Sequence, residues 1–211
     1  MTGDDLRSKC SNLASIRIRG ELGEVIAAAI KDYSPKDLKR MQLNFSGKIK
    51  NINPLYRRQL EKTINGHMTE TWEKVRLMSQ QGAFSSIKEP LPEDTEKYWT
   101  MTGEKCSSGD PEKDRIRLLK YLLAGFCIFV QNIPPHPAGM PFPGGDKVQL
   151  IDGVYYCPVR DKAGDFDSAL CPFCPAKQTP ESGYLKPPVK ASEHRKQEYL
   201  RNTFDFHHYN G

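Results

Sequence analysis

The 211-residue sequence lacks most of the signatures from which chemistry is read off a chain. It has no glycine-rich phosphate loop, no His-Glu-x-x-His and no Gly-x-Ser-x-Gly, so nucleotide cradling, zinc-protease chemistry and the serine-hydrolase elbow each want for their motif. Gly144-Gly145 is too short a run to stand in for a phosphate loop. No catalytic residue is assigned from the sequence. A long hydrophobic run is also missing: the longest, Tyr121 to Val130, is about half of the ~20 residues that a membrane span needs, and it reads as a buried helix. The start, MTGDDLRSKC, sets no apolar segment behind a basic flank, so no secretory leader is expected. Charge of one sign is scarcely in excess. The formal net charge is +5, residues 133–211 hold nine basic and nine acidic side chains, and the whole surplus falls in residues 1–132. There is no internal repeat and no heptad.

What is present is a helical pattern followed by a cysteine-bearing segment. Residues 1–20 alternate without a clear period and read as a loosely tied start. From Glu21 to Tyr33, Leu22, Val25, Ile26, Ala29, Ile30 and Tyr33 recur at helical spacing. Ser34-Pro35, Asn53-Pro54 and Asp110-Pro111 each set a capping side chain before a proline, the pairing that opens a helix. After the first, Leu38, Met41, Phe45 and Ile49 line one face. After the second, Tyr56, Leu60 and Ile64 do so, and the pattern shifts near Gly66 before resuming at Met68, Trp72, Val75 and Met78, which predicts one kinked helix or two. Residues 80–92 read as a connection and Glu93 to Met101 as a short helix. The third start opens the widest apolar stripe in the chain, from Ile116 to Val130, the expected centre of a bundle, with Pro134-Pro135 as its stop.

Beyond that stop, His136 lies in a stretch stiffened by five prolines up to Pro143. Asp152-Gly153 between β-formers predicts a hairpin that delivers Cys157 at the end of its second strand. Cys171-Pro-Phe-Cys174 follows, with the gap that lets two thiolates reach one ion from a single tight turn. His136, Cys157, Cys171 and Cys174 are therefore the expected ligands of one soft metal. Zinc in a structural site is the first assignment. An iron–sulfur cluster is the alternative, because each of the three cysteines is followed directly by proline, and buried thiols without metal are the plain reading. A redox-active pair at Cys171 would need a βαβ setting, which is not visible, and a Cys157–His136 nucleophile has no local signature.

Other histidines and cysteines read more plainly. His194, His207 and His208 are alternative fourth ligands, with the last two on an exposed tail; His67 is packing or surface; Cys127 is core; Cys10 and Cys106 have no partner by spacing. Arg57, Arg58, Lys62, Lys113, Arg115, Arg117 and Lys120 could present a phosphate-binding face to RNA, but interleaved acids favour a solvated helix surface. Six cysteines with no leader point to a reducing compartment, and the expected location is cytoplasmic.

The string His136-Pro-Ala-Gly-Met-Pro-Phe-Pro-Gly-Gly145, with Tyr155-Tyr-Cys-Pro-Val159 and Ala169-Leu-Cys-Pro-Phe-Cys-Pro-Ala176, resembles the C-terminal signature of a family of uncharacterised proteins from methanogenic archaea. The resemblance covers residues 110–176 well and the N-terminal helices in outline. It implies a cytoplasmic protein of a strict anaerobe, a setting in which an oxygen-sensitive cluster gains ground, and it brings no mechanism. The expected architecture is mainly α: a helical bundle over residues 1–133, a small hairpin and Cys/His metal module over 134–176, and a polar tail, partly disordered or arm-like, over 177–211. The expected role is a metal-binding module for a macromolecular partner, a protein before a nucleic acid, with no membrane attachment.

Overall fold

The computed structural model describes residues 3–143, 145–161 and 170–180. Among them are six α-helices: α1 Gly3–Ser15, α2 Arg19–Ile30, α3 Pro35–Lys48, α4 Pro54–Gln80, α5 Asp94–Lys105 and α6 Pro111–Gly125. The mainly helical expectation holds, with a small three-stranded sheet towards the C-terminal side. Each expected cap is in place. The Ser34 N–H donates to Asp37 Oδ2 at 2.7 Å. Asn53 Oδ1 accepts from the Leu55 N–H at 2.9 Å, and Asp110 Oδ1 accepts from the N–H groups of Glu112 and Lys113 at 3.2 and 3.1 Å. These side chains satisfy donors that the first turn of a helix leaves without partners.

The start of the chain differs from expectation. Residues 3–15 form a helix that packs along α5, burying Leu6, Cys10 and Leu13. Only these three positions, spaced by four and three, carry the pattern, and the polar residues around them dilute it. The shift in α4 does not divide it into two helices, since the helix runs unbroken for 27 residues. It serves two cores instead. Leu60 and Ile64 pack in one, Trp72 and Val75 in the other, and Met68 touches both. The apolar stripe therefore turns about the helix axis partway along.

The larger core is built on α6, which continues beyond Gly125 as a wider π-turn, Phe126–Val130, buried at every position. The chain then leaves the helix through Asn132, whose φ of 53° is left-handed. Gly125 sits where α5 crosses: a Cβ there would lie 2.8 Å from the Trp99 ring. Tyr98, beside it, stands edge-on to Trp99 at 4.9 Å, Phe129 at 5.1 Å and Phe173 at 5.2 Å, and its hydroxyl donates to the Tyr121 carbonyl at 2.7 Å. Burying such rings supplies much of a core's stabilisation.

The second core joins the ends of α3 and α4 to the C-terminal segment, through Ile49, Leu60, Met140, Phe142, Val148 and Cys157. The proline stretch is pinned there by the Tyr56 hydroxyl, which donates to the Pro141 carbonyl at 3.0 Å. Strands β1 Gln149–Ile151 and β2 Val154–Cys157 pair antiparallel about Asp152 and Gly153. Both turn residues have positive φ, 50° and 77°, as a two-residue hairpin loop demands. A third strand, β3 Lys177–Gln178, lies parallel to β2 and was not legible from its two polar residues. The tail from residue 181 onward, with the histidines at 194, 207 and 208, lies outside the described residues. No helix among the described residues is long and apolar enough to cross a membrane.

Candidate functional site

Helices α3, α4 and α6 enclose a cavity of about 570 Å³ that is closed on one side by Pro135, His136 and Leu170. Each helix contributes one face. From α6 come Lys113, Ile116, Arg117, Lys120, Leu123, Ala124 and Cys127, positions three and four apart. Cationic side chains thus alternate with apolar ones along a single stripe. Helix α3 adds Arg40, Met41, Asn44 and Lys48; α4 adds Ile64, His67, Met68 and Thr71. The volume lies within the range of small-molecule sites, whose walls are largely apolar with a few placed polar groups.

The charges on this wall are unevenly compensated. Arg40 is paired with Glu112, the one carboxylate on the lining. Lys113 reaches Asp110 at 3.0 Å, and Arg117 reaches the buried Asp114 at 3.3 Å. Asp114 also accepts from the Ser108 N–H and hydroxyl at 2.8 and 2.7 Å. Lys48 and Lys120 stand in surroundings that penalise their charge. Burial, then the neighbouring Lys48 and Arg117, brings the Lys120 amine down to about 7, and its Nζ stands 4.5 Å from the centre of the Tyr121 ring. Burial and Arg117 also lower Lys48. The cavity therefore disfavours its own ammonium groups.

His136 stands in the same wall. Burial, followed by the influence of His67 and Lys120, pushes its imidazole down to about 4, so it is neutral at pH 7. His67 is lowered by burial too. Its Nε2 lies 3.7 Å from Cys127 Sγ, and Thr71 Oγ1 lies 3.7 Å from the same sulfur. Burial raises Cys127 to about 11, which keeps the thiol protonated. The pair consequently rests as thiol and neutral imidazole, not as the ion pair of a cysteine nucleophile.

The four expected metal ligands fall into two places. Cys157, Cys171 and Cys174 are neighbours, since Cys171 acts to raise Cys157, and both act to raise Cys174. Burial is the largest influence on the two, carrying Cys174 to about 12. The Val159 and Ala176 N–H groups donate to the Cys157 and Cys174 sulfurs, each two residues past its cysteine. The Cys171–Phe173 turn closes with the Cys174 N–H donating to the Cys171 carbonyl at 3.1 Å. His136 lines the helical cavity together with Pro135 and Leu170, and Cys157, Cys171 and Cys174 are not on that lining. Among the described residues no group of three or more His, Cys, Asp or Glu side chains is placed so as to hold a metal ion. Nor is the cysteine segment short of apolar support: Cys157 and Cys174 pack in the second core, and Phe173 reaches the first.

The expected basic face divides. Lys113, Arg117 and Lys120 line the cavity, whereas Arg115 is taken up by Asp37 and by the Asp32 carbonyl at 2.8 Å, and Arg57 by the Lys50 carbonyl at 3.0 Å. Arg40, Lys48 and His67 were missed as site residues. The available signal was the placing of Lys113, Arg117 and Lys120 on the apolar face of α6, where a purely solvated surface would not put them.

Comparison with known proteins follows the same limits. A family described as "Uncharacterized protein conserved in archaea (DUF2115)" matches residues 18–179. The chain is similar to a UPF0305 protein of Methanopyrus kandleri, 43% identical over 74 residues, which are 34% of this chain and 52% of that protein. It is similar to a UPF0305 protein of Methanothermobacter thermautotrophicus, 54% identical over 52 residues, 25% of this chain and 34% of the other. A UPF0305 protein of Methanocaldococcus jannaschii is 24% identical over 169 residues, 76% of this chain and 96% of that one. The alignments to the first two thus reach about half and a third of those proteins' length. No solved structure matches.

Proposed function

Because the chain belongs to this archaeal family of uncharacterised proteins, we propose from its geometry that it binds a small organic anion in the cavity between α3, α4 and α6. The observation that carries the reading is a cavity of ligand size whose lining sets five cationic side chains against one carboxylate, with Lys48 and Lys120 held in surroundings that penalise their charge. An anion seated between them offsets the cost that burial and neighbouring cations place on both ammonium groups. The apolar positions Ile64, Met68, Ile116 and Leu123 receive a hydrocarbon or aromatic body, and the neutral rings of His67 and His136 offer one donor and one acceptor each. Titration with 8-anilinonaphthalene-1-sulfonate, followed by fluorescence, tests this. One saturable site is expected, weakened about tenfold by Lys48→Gln and by Lys120→Gln. Absence of saturable binding, or binding that both substitutions leave unchanged, refutes the reading.

A second reading is supported by the N–H groups that Val159 and Ala176 turn on two sulfurs. We infer that Cys157, Cys171 and Cys174 take one soft metal ion as thiolates, zinc first and an iron–sulfur cluster as the alternative. Such donors stabilise a metal-bound thiolate and do little for a thiol. Metal analysis of anaerobically purified protein is the test. One zinc per chain, lost in Cys157→Ser and Cys174→Ser, is expected; a brown protein with iron reassigns the site to the cluster; the same trace metal in parent and variants refutes it.

A further inference from the structure

The wider turn at the end of α6 sets a thiol against an imidazole in the wall of the cavity. Cys127 belongs to the π-turn Phe126–Val130, a widening that is frequent where helices take part in chemistry, and it lines the cavity at the end of the α6 stripe. Facing it, His67 and Thr71 stand one turn apart on α4 and line the same space. His67 Nε2 and Thr71 Oγ1 each lie 3.7 Å from Cys127 Sγ. The sulfur thus has an imidazole nitrogen that can take its proton and a hydroxyl that can donate to it once the proton has left. A nucleophile with a base in reach and a third group beside it, on the wall of a cavity of ligand size, is the constellation of covalent catalysis. We infer that Cys127, with His67 as its base, accepts an acyl group from an activated acyl compound bound in the cavity, a thioester or ester on a molecule that also carries a carboxylate or phosphate. The inference rests on the anion-binding reading above and names the reactive group of that ligand.

Burial leaves both partners uncharged at rest, with the thiol pushed up to about 11 and the imidazole lowered. That state disfavours one chemistry and suits another. Disulfide exchange and oxidation draw on a standing thiolate, of which this sulfur holds very little at pH 7. Acyl transfer needs none, because the proton can leave as the nucleophile attacks, just as it leaves the hydroxyl of a Ser–His pair. The Cys127 sulfur lone pair forms the S–C bond while the carbonyl π electrons move to oxygen, and the thiol proton passes to His67 Nε2. The electrons then return from oxygen, the bond to the leaving sulfur or oxygen breaks with its pair, and the His67 proton follows that group. The sum is thiol plus thioester giving a new thioester and a free thiol, or an alcohol where an ester reacts, with no change of oxidation state. The Thr71 hydroxyl acts against burial in lowering the thiol, the direction that favours the attacking sulfur. The cations on the lining suit the anionic end of the ligand.

The test uses the acetyl thioester of 5-thio-2-nitrobenzoate, an aromatic carboxylate whose released thiolate is yellow, on the full chain, with peptide mapping of the acetylated product. The S-methyl analogue, 5-methylthio-2-nitrobenzoate, has no acyl group to give and is titrated in parallel. The expected result is one predominant acetyl group, on Cys127, suppressed by excess S-methyl analogue. Its rate should rise as His67 loses its proton and stay level from about pH 7 to 9. Unaided attack by thiolate would instead climb about tenfold per pH unit towards 11. In His67→Gln acetylation should slow by about 100-fold at pH 7, and the level profile should give way to a climbing one. In Cys127→Ala the coloured burst should be lost. Both variants are first compared with the parent by circular dichroism; should they not fold, the mapping, the pH profile and the competition on the parent decide alone. Acetylation confined to Cys171, Cys174 or scattered lysines, or a rate on Cys127 that climbs throughout, overturns the proposal. If the S-methyl analogue binds while Cys127 stays unmodified, acyl transfer is refuted and the anion site stands. If neither compound binds, both fall.

Discussion

Replacing Lys120 by methionine should make the protein more stable at neutral pH, contrary to the usual result of a substitution in a helix that lines the core. The amine titrates near 10.4 in an unfolded chain and at about 7 in the folded one. Below pH 7 both states carry the ammonium and the native state bears its full desolvation cost. Between pH 7 and about 10.4 the unfolded chain holds a proton that the native chain has released, so stability rises with pH across that window. The gap corresponds to about 5 kcal/mol at most. The side chain is half-buried and faces a cavity that admits water, so screening reduces this to roughly 1–3 kcal/mol. Urea denaturation of parent and Lys120→Met at pH 6.5, 8, 9.5 and 10.5, at fixed ionic strength, measures it. The thiols of Cys10, Cys127 and Cys174, all raised by burial, erode the stability of both chains as pH climbs past 9 and cancel in the difference. The variant should lead by about 1–3 kcal/mol at pH 6.5 and the lead should close by pH 10.5. A lead that does not depend on pH, or a variant weaker than the parent at pH 6.5, refutes the electrostatic account of Lys120.

Two further outcomes follow from the packing. Gly125→Ala drives a methyl to within 2.8 Å of the Trp99 ring and should cost about 1–3 kcal/mol, read by urea denaturation, with a shift in tryptophan emission; unchanged stability would show that α5 can back away from α6. Phe173→Ala removes the half-buried ring that meets Tyr98 at 5.2 Å and Phe129 at 6.4 Å, and should cost about 1–3 kcal/mol while speeding alkylation of Cys171, followed by mass spectrometry. Alkylation at the parent's rate would mean that the turn holds its shape without that anchor.

What the sequence makes legible here is what neighbouring residues decide. The starts at Ser34-Pro35, Asn53-Pro54 and Asp110-Pro111 and the turn at Asp152-Gly153 are settled within a few residues, by a capping oxygen, a fixed φ or a tolerated left-handed backbone. Helix α1 is obscure because its three buried side chains make sense only against α5, some ninety residues on. The two faces of α4 look like a break until two separate cores are seen to use them. The same holds for chemistry. Cys171 and Cys174 sit together because one tight turn joins them, and β2 brings Cys157 alongside. His136 groups with them by nearness along the chain, and the proline stretch places it on the lining of the helical cavity with His67 and Lys120. That cavity needs the registers of three helices at once, and no local pattern reports it.

The region shared with the archaeal family begins at residue 18, after α1 has ended. Expressing only the shared stretch would strip Leu6, Cys10 and Leu13 from the interior and leave the α5 surface around Gly103 wetted where it is now dry. A trimmed version should therefore come out sticky or weakly folded for reasons unrelated to its ligand, and assays on such a fragment would measure the lost helix before they measured the cavity.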